Sequence, residues 1–407
     1  MRKYENGLQV IFAKDESKPL ASVNILINVG AQNENAQESG FSHFIEHLIF
    51  KAGKKYPGLT FVKNIESGGG YTNAQTSKDI TMYYVDIGKN LAGLVLKMFA
   101  DMLIEPNFVE SEVDMERLVV IEEIQSYLDE PEDILYEAFV KTIYKNSAGK
   151  NSILGTKENI KNAKVADILS FYKKHYIAKN IVIAVAGNFD EKEIYKIIDE
   201  TFAKLPKVKQ QPLPNIYQKN HKTPMQVLEA NTENSFIING FLGPDIKSDE
   251  MFAAETAMQV LGGGRSSRLV QKLKRQDKIV YDINCWLNHQ RGTTFFANFA
   301  ITKKENLKKV NAEICAQIEK IIASGITPQE CERSKTALLS QWAFQHQNIS
   351  SAIQEDAYWL LMDRKNYSKN YMQNIKKVKA ADIKNFFKKY YQSQFLTTVC
   401  LTSKEAK

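Results

Sequence analysis

Residues 159–176 read NIKNAKVADILSFYKKHY, and residues 374–391 read NIKKVKAADIKNFFKKYY. At a constant offset of 215, without a gap, 11 of the 18 positions are identical. Agreement of that density marks an internal repeat whose period is about half of the 407-residue chain. Each copy reads as a helix followed by an apolar, strand-like stretch, NIVIAVAGN (180–188) in the first and FLTTVCLT (395–402) in the second. Further out, each half mixes such stretches with helical ones: ASVNILINVGA (21–31) and ITMYYVDIG (80–88), then SFIINGFLG (235–243) and TFFANFAI (294–301). The strands do not alternate regularly with single helices. The fold class predicted is therefore α+β, two duplicated halves, each a mainly antiparallel sheet packed with helices.

Residues 205–224, LPKVKQQPLPNIYQKNHKTP, carry four of the ten prolines and few large apolar side chains, as a linker does. The expected division is a first domain at 1–210, a linker at 211–222 and a second domain at 223–407. The formal charge of +7 comes from lysines interspersed with glutamates, not from a basic block, which argues against a nucleic-acid surface. Cys285, Cys315, Cys331 and Cys400 are widely spaced with no CxxC pair, a pattern of reduced thiols. No apolar run approaches the ~18 residues that cross a bilayer, so no transmembrane segment is expected. The expected compartment is cytoplasmic, or periplasmic or organellar if a leader has been removed.

Two of only six histidines fall within GFSHFIEHLIFKAG (40–53). On a helix, His43, Glu46 and His47 fall at about 0°, 300° and 40°, one narrow face. Phe44, Ile45, Leu48 and Ile49 cover the other side, and Gly40 and Ser42 offer a helix start. Ionisable groups converging on a buried face are costly unless paired. Imidazoles at i and i+4 can grip one metal ion, most often zinc, and Glu46 would sit beside a metal-activated water as general base. The alternative is two core histidines satisfied by hydrogen bonds.

Aligning 27–50 with 238–261 places Ala254, Ala257 and Met258 over His43, Glu46 and His47. The duplicated fold keeps this chemistry in one half only. A further ligand must come from elsewhere, and VESEVDMERLVVIEEIQSYLDE (109–130) reads as a helix with an acidic first turn. On a wheel Glu123 falls among Val119, Val120 and Tyr127, with Glu116 two turns earlier on the same face, whereas Glu122 lies beside Ser126. Glu123 is the expected ligand, Glu116 a neighbour of the site, and Glu122 a surface acid.

HxxEH followed by a helical glutamate 76 positions later resembles the insulinase/pitrilysin family of zinc peptidases. Within it the resemblance is to the β subunit of mitochondrial processing peptidase and its bacterial relatives. YENGLQVIF, SGFSHFIEHLIFKAG, IESGGGYTNAQTSKDITMYYVDI, VVIEEIQSYLDEPEDI, ILGTKENI, IVIAVAGNFD and LGGGRSSRLVQKL match family blocks in order over nearly the whole chain. The resemblance implies Zn²⁺ held by His43, His47 and Glu123, with Glu46 as base. It implies an extended peptide substrate paired with an edge strand at TNAQTSKDITMYYVDI, touching Asn73 and Ala74. It also implies a clamshell closed by a second chain, as a homodimer or a heterodimer with a related zinc-lacking subunit. The family's arginine seven positions before a tyrosine is replaced here by Lys274 before Tyr281, with Arg275 adjacent, and lysine lacks the planar fork of arginine. The rival reading is a non-catalytic structural or chaperone-like subunit of the same fold, for which broken site motifs would be expected. LGGGRSSRL (261–269) lacks a GK[ST] ending and reads as a hinge or close backbone approach. His175, His221, His289 and His346 read as ordinary core or surface histidines, and the aromatic stretch 342–361 as core.

Overall fold

The computed structural model describes residues 1–404, whose strands form two sheets. The first contains β1 (Arg2–Lys3), β2 (Gln9–Lys14), β3 (Leu20–Ile27), β4 (Tyr71–Thr76), β5 (Thr81–Gly88) and β6 (Ile181–Gly187). Their spatial order is β1-β2-β6-β3-β5-β4. The second contains β7 (Gln226–Ala230), β8 (Ser235–Asp245), β9 (Val280–Leu287), β10 (Thr293–Thr302) and β11 (Thr397–Ser403), ordered β7-β11-β8-β10-β9. Leaving β1 aside, the two orders correspond strand for strand. Each has one parallel pair, β2 with β6 and β11 with β7, among antiparallel neighbours. This is the duplicated α+β architecture that the repeat implies.

The helices of the first half are α1 (Phe41–Ile49), α2 (Thr60–Ser67), α3 (Ala92–Ile104), α4 (Glu110–Asp129), α5 (Pro131–Ile143), α6 (Lys157–Asn162), α7 (Val165–His175) and α8 (Glu191–Glu200). Those of the second half are α9 (Glu250–Leu261), α10 (Leu307–Ser324), α11 (Pro328–Gln345), α12 (Ile349–Leu361), α13 (Tyr367–Lys377) and α14 (Ala380–Tyr390). The repeated segment becomes α6 and α7 in one copy and the end of α13 with α14 in the other. Both copies keep an acid three residues into the second helix. It accepts the N–H of the residue before the helix, Lys164 to Asp167 at 3.4 Å and Lys379 to Asp382 at 2.8 Å.

The chain forms two compact units, and neither is a continuous half. The first comprises Met1–Gln125, Asn151–Pro214 and Gln345–Tyr367; the second comprises Ser126–Lys150, Asn215–Phe344 and the chain from Ser368 onward. Thus α5, inside the expected 1–210 domain, belongs to the second unit, and its counterpart α12, inside 223–407, belongs to the first. The linker expected at 211–222 and the compact units therefore divide the chain differently. Packing gives the reason. α5 buries Leu135, Phe139, Val140 and Ile143 among Phe236, Ile238, Phe295 and Val399 of the second sheet. In the first unit β3 is buried along all but its first residue. Val23, Ile25 and Ile27 join the apolar core with Phe44 and Phe99, while Ser22 and Asn24 face the other way under α12. There Ser22 Oγ donates to Ser350 Oγ at 2.9 Å, and Gln354 Nε2 donates to Asn24 Oδ1 at 2.8 Å. Among the described residues no helix is long and apolar enough to cross a membrane.

Candidate metal centre

Residues 41–49 fold as a helix because Phe44, Ile45, Leu48 and Ile49 give it a continuous buried side. The helix starts at Gly40, as expected, but neither Gly40 nor Ser42 supplies a side-chain cap. Gly40 adopts φ +93°, a left-handed conformation open to glycine, and a Cβ there would lie 2.7 Å from the Leu154 carbonyl oxygen. The cap comes from Glu34, whose carboxylate accepts the N–H groups of Gly40 at 2.7 Å and Ser42 at 2.8 Å. Burial pushes the Glu34 carboxyl up to about 8, against the pull of those two donors.

The cap aims His43, Glu46 and His47 toward α4. His43 Nε2 and His47 Nε2 lie 3.6 Å and 3.4 Å from Glu123 Oε2, and one ligand atom from each residue falls within a 4.8 Å cluster. Ligands about 2.0–2.1 Å from a tetrahedral zinc are separated by roughly 3.3–3.4 Å, so this donor set fits a single shared ion. Behind it, Glu116 Oε2 sits 3.2 Å from His47 Nδ1, an arrangement that fixes ring and tautomer. The Lys51 ammonium holds Glu116 Oε1 and lies 3.4 Å from Glu112. The Thr76 hydroxyl, at the end of β4, donates to Glu46 Oε2 at 2.7 Å.

Burial, then the charge of His47, lowers His43 to about 4, leaving it neutral and ready to ligate. Burial opposes the charged form of His47, but its bonds to Glu116 and Glu123 outweigh that and raise it to about 9. Binding a divalent cation therefore requires His47 to release a proton. The bond to His47 lowers both Glu116 and Glu123, whereas burial raises Glu46.

The helical wheel of α4 needs one correction. Its buried stripe runs through Val113, Glu116, Val120 and Ile124, while Val119 is 51% exposed. Glu123 is itself 44% exposed by side chain, so it reaches the histidines from the rim of the helix and not from an apolar arc. A rim position keeps the cluster open to water and to a bound chain. Glu122 is exposed, as expected.

Asn73 and Ala74 lie on β4, which pairs with β5 on one side and is the edge of its sheet. Asn73 is exposed, and its Oδ1 accepts the Ala74 N–H at 2.9 Å. Lys274 and Tyr281 belong to the second unit. Lys274 lies in a π-helical stretch, Val270–Gln276, with Nζ 2.6 Å from Asp282 Oδ1; Tyr281 is exposed at the start of β9, an edge strand. Sequence reasoning missed Glu34, Lys51 and Thr76. Lys51 had a signal, one helical turn after His47; the other two depend on loop path and strand register.

Two family descriptions match in succession, Insulinase (Peptidase family M16) over residues 9–157 and Peptidase M16 inactive domain over residues 162–338. The chain belongs to the M16 insulinase family. The split agrees with the geometry, since the only His/Cys/Asp/Glu cluster suited to a metal among the described residues is His43, His47 and Glu123. An uncharacterized zinc protease of Rickettsia bellii is 28% identical over 391 residues, covering 94% of this chain and 92% of that protein. The zinc protease PqqE of Helicobacter pylori is 28% identical over 407 residues, covering 98% and 91%. Among solved structures, a protease from Helicobacter pylori superposes with a TM-score of 0.92 at 25% identity, over 98% of both chains. A Pseudomonas fluorescens structure described as a peptidase M16 inactive domain reaches 0.90 at 16% identity over 100% and 98%, a likeness of fold alone.

Proposed function

We propose that this M16 chain is a zinc-dependent endopeptidase or oligopeptidase acting on extended peptides or unfolded segments. The observation that carries the reading is the meeting of His43, His47 and Glu123 at ligand spacing, with the Glu46 carboxylate on the same helical face. When bound, zinc supplies a Lewis acid that acidifies water and polarises a carbonyl. Glu46, oriented by Thr76 through Oε2, takes the proton of the attacking water at Oε1 and passes it to the leaving amine. Glu116 holds the His47 ring through Nδ1, and Lys51 holds Glu116.

Substrate adds as a strand to the edge of β4 along Asn73 and Ala74, replacing the local bond between those two residues. Backbone pairing of this kind gives broad sequence tolerance, as in a processing peptidase. Lys274, with Arg275 beside it, and Tyr281 grip the substrate once a second chain, identical or related and zinc-lacking, completes a dimer. The 1–210 segment carries the chemistry and 223–407 its non-catalytic copy.

The test combines metal analysis with hydrolysis of quenched-fluorescence peptides. About one zinc per chain is expected, lost in His43→Ala and Glu123→Ala and kept in Glu122→Ala. Glu46→Gln should keep zinc and lose hydrolysis. A wild-type chain that binds zinc yet cleaves no peptide, alone or with its native partner, supports the structural or chaperone-like reading instead.

A further inference from the structure

The loop that leads into the metal helix is held from behind, and the hold begins at the edge strand. Residues 77–80 turn β4 into β5. The Ala31 N–H donates to Ser77 O at 3.2 Å and the Gln32 N–H to Lys78 O at 2.8 Å, so the turn lies on the segment before α1. Asn151 joins the two from a third side. Its Nδ2 donates to Ala31 O and Glu34 O, both at 2.9 Å, and its own carbonyl accepts the buried Lys78 ammonium. Turn, loop and Asn151 are thus linked pairwise into a closed triangle, which resists the sliding that a single bond would allow.

Two corners of the triangle reach the site. Glu34 is one: Asn151 fixes its carbonyl, and its carboxylate caps α1 through Gly40 and Ser42, the residue before His43. The turn is the other, since it follows directly on Thr76, whose hydroxyl holds Glu46. The segment that starts at Asn151 meets the start of α1 again at Gly155, where a Cβ would strike Gly40 Cα and Ser39 O. The second copy is built differently. In the place of Glu34 it has Asp245, whose carboxylate accepts the Lys247 N–H at 2.7 Å within its own turn. The Glu34 cap therefore accompanies the metal-binding residues and not the repeated fold.

We propose that Asn151, together with Lys78, is a positioning residue for the reaction, bracing the peptide-binding strand against the cap of the metal helix. It touches neither the donor cluster nor the substrate. It keeps His43, Glu46 and the edge of β4 at one separation, so that a peptide laid on that edge brings its carbonyl beside Glu46. The inference rests on the peptidase reading for its substrate, but the brace acts on the metal helix and can be measured without turnover.

The experiment uses the full chain with Asn151→Ala, the isosteric Asn151→Asp and Lys78→Met, and with Asn151→Ala and Lys78→Met combined. Asn159→Ala is the control, because Asn159 Nδ2 holds the same loop at Ala36 O, 2.6 Å away, outside the triangle. Chelator competition gives Co²⁺ affinity, hydrogen exchange over 40–48 in the metal-free chain gives the order of the helix, and peptide hydrolysis gives kcat and KM. Each single change at Asn151 or Lys78 should weaken Co²⁺ about tenfold and lower kcat about tenfold, with KM moving less than about twofold. Exchange over 40–48 should quicken in the same variants. The double variant should also lose about tenfold, not the roughly hundredfold of independent sites, because a triangle opened once is already open. Lys78→Arg, which keeps a donor for the Asn151 carbonyl, should recover most of what Lys78→Met loses. Weaker Co²⁺ and faster exchange in variants of a chain that cleaves no peptide leave the brace standing and remove the peptidase reading. Wild-type affinity and exchange in a folded Asn151→Asp chain, losses that multiply in the double variant, or an equal loss in Asn159→Ala overturn the brace.

Discussion

The two copies of one helix make the clearest contrast in the molecule. In α9 the positions equivalent to His43, Glu46 and His47 are Ala254, Ala257 and Met258, yet the helix still carries a buried acid. Glu255 is 6% exposed; its Oε2 receives the Tyr371 hydroxyl at 2.6 Å, and its Oε1 lies 3.1 Å from His289 Nε2. That acid is matched by neighbours within its own unit. Around α1 three carboxylates, Glu46, Glu116 and Glu123, crowd two imidazoles, with Lys51 as the nearby cation. A buried acid with its own partners is architecture; a cluster of acids around two histidines at ligand spacing is one that could hold a divalent cation.

The same substitution in both copies sharpens that contrast most. Glu46→Gln should lower peptide turnover by about a thousandfold or more, with zinc content and melting temperature little changed. Glu255→Gln should do the reverse: turnover per folded chain is kept, while stability falls by about 1–3 kcal/mol through a weakened buried bond. Activity assays paired with urea unfolding read both. Loss of turnover in a fully stable Glu255→Gln chain would break the one-sided picture.

The exchanged helices differ next most. α5 meets its sheet through apolar and aromatic side chains, with Phe139 fully buried and edge-on to Phe295 at 5.3 Å. Gly240 lets it approach, for a Cβ there would lie 2.8 Å from Phe139 Cζ. Phe139→Ala is expected to cost about 3–5 kcal/mol in denaturant unfolding. A loss under about 1 kcal/mol would mean that α5 is a rider on the second sheet and not part of its core.

What could be read beforehand follows from the range of each signal. The repeat, the strands β3, β5, β8 and β10, and the helix of His43, Glu46 and His47 are written in local periodicity, and all appear. Glu123 does lie beside the histidine pair, but its rim position is not legible in the sequence, because Val119 is exposed where a wheel alone places an apolar arc. Thr76 escaped because its reach to Glu46 depends on how β4 lies against α1. The exchange of α5 and α12 also left no local mark, since an apolar helix face does not name the sheet it will cover.

A smaller effect separates the counterpart helices α4 and α11. The start of α11 is capped reciprocally: Glu330 Oε2 accepts the Thr327 N–H at 2.8 Å, and Thr327 Oγ1 accepts the Glu330 N–H at 3.1 Å. Arg268, from the glycine-rich 261–269 stretch, grips the same carboxylate at 2.7 and 2.9 Å. That loop is thus a structural anchor. The Arg268 bond holds Glu330 down to about 2. A depressed carboxyl stabilises the fold fully above its unfolded pKa, about 4.3, and the contribution fades as pH falls toward the folded value. Arg268→Ala should therefore cost about 1–2 kcal/mol at pH 7, and the gap from wild type should close between about pH 4 and pH 2. A gap that persists undiminished at pH 2 would assign the loss to packing instead.

The smallest effect is expected where α12 meets the first sheet through hydroxyls and amides. Ser350 Oγ receives Ser22 at 2.9 Å and Gln354 at 3.1 Å, but each donor keeps a second partner. Ser22 Oγ accepts Asn24 Nδ2 at 3.0 Å, and Gln354 also reaches Asn24 Oδ1 at 2.8 Å. Ser350→Ala therefore strands no charge and leaves a network that can close on itself, for a cost of about 1 kcal/mol or less. Replacing both Ser22 and Ser350 by alanine removes donor and acceptor together, which is often close to neutral, so the double-mutant cycle should show a coupling near that same figure. A coupling above about 2 kcal/mol would place the polar seam of α12 level with the aromatic seam of α5 and erase the difference between the exchanged helices.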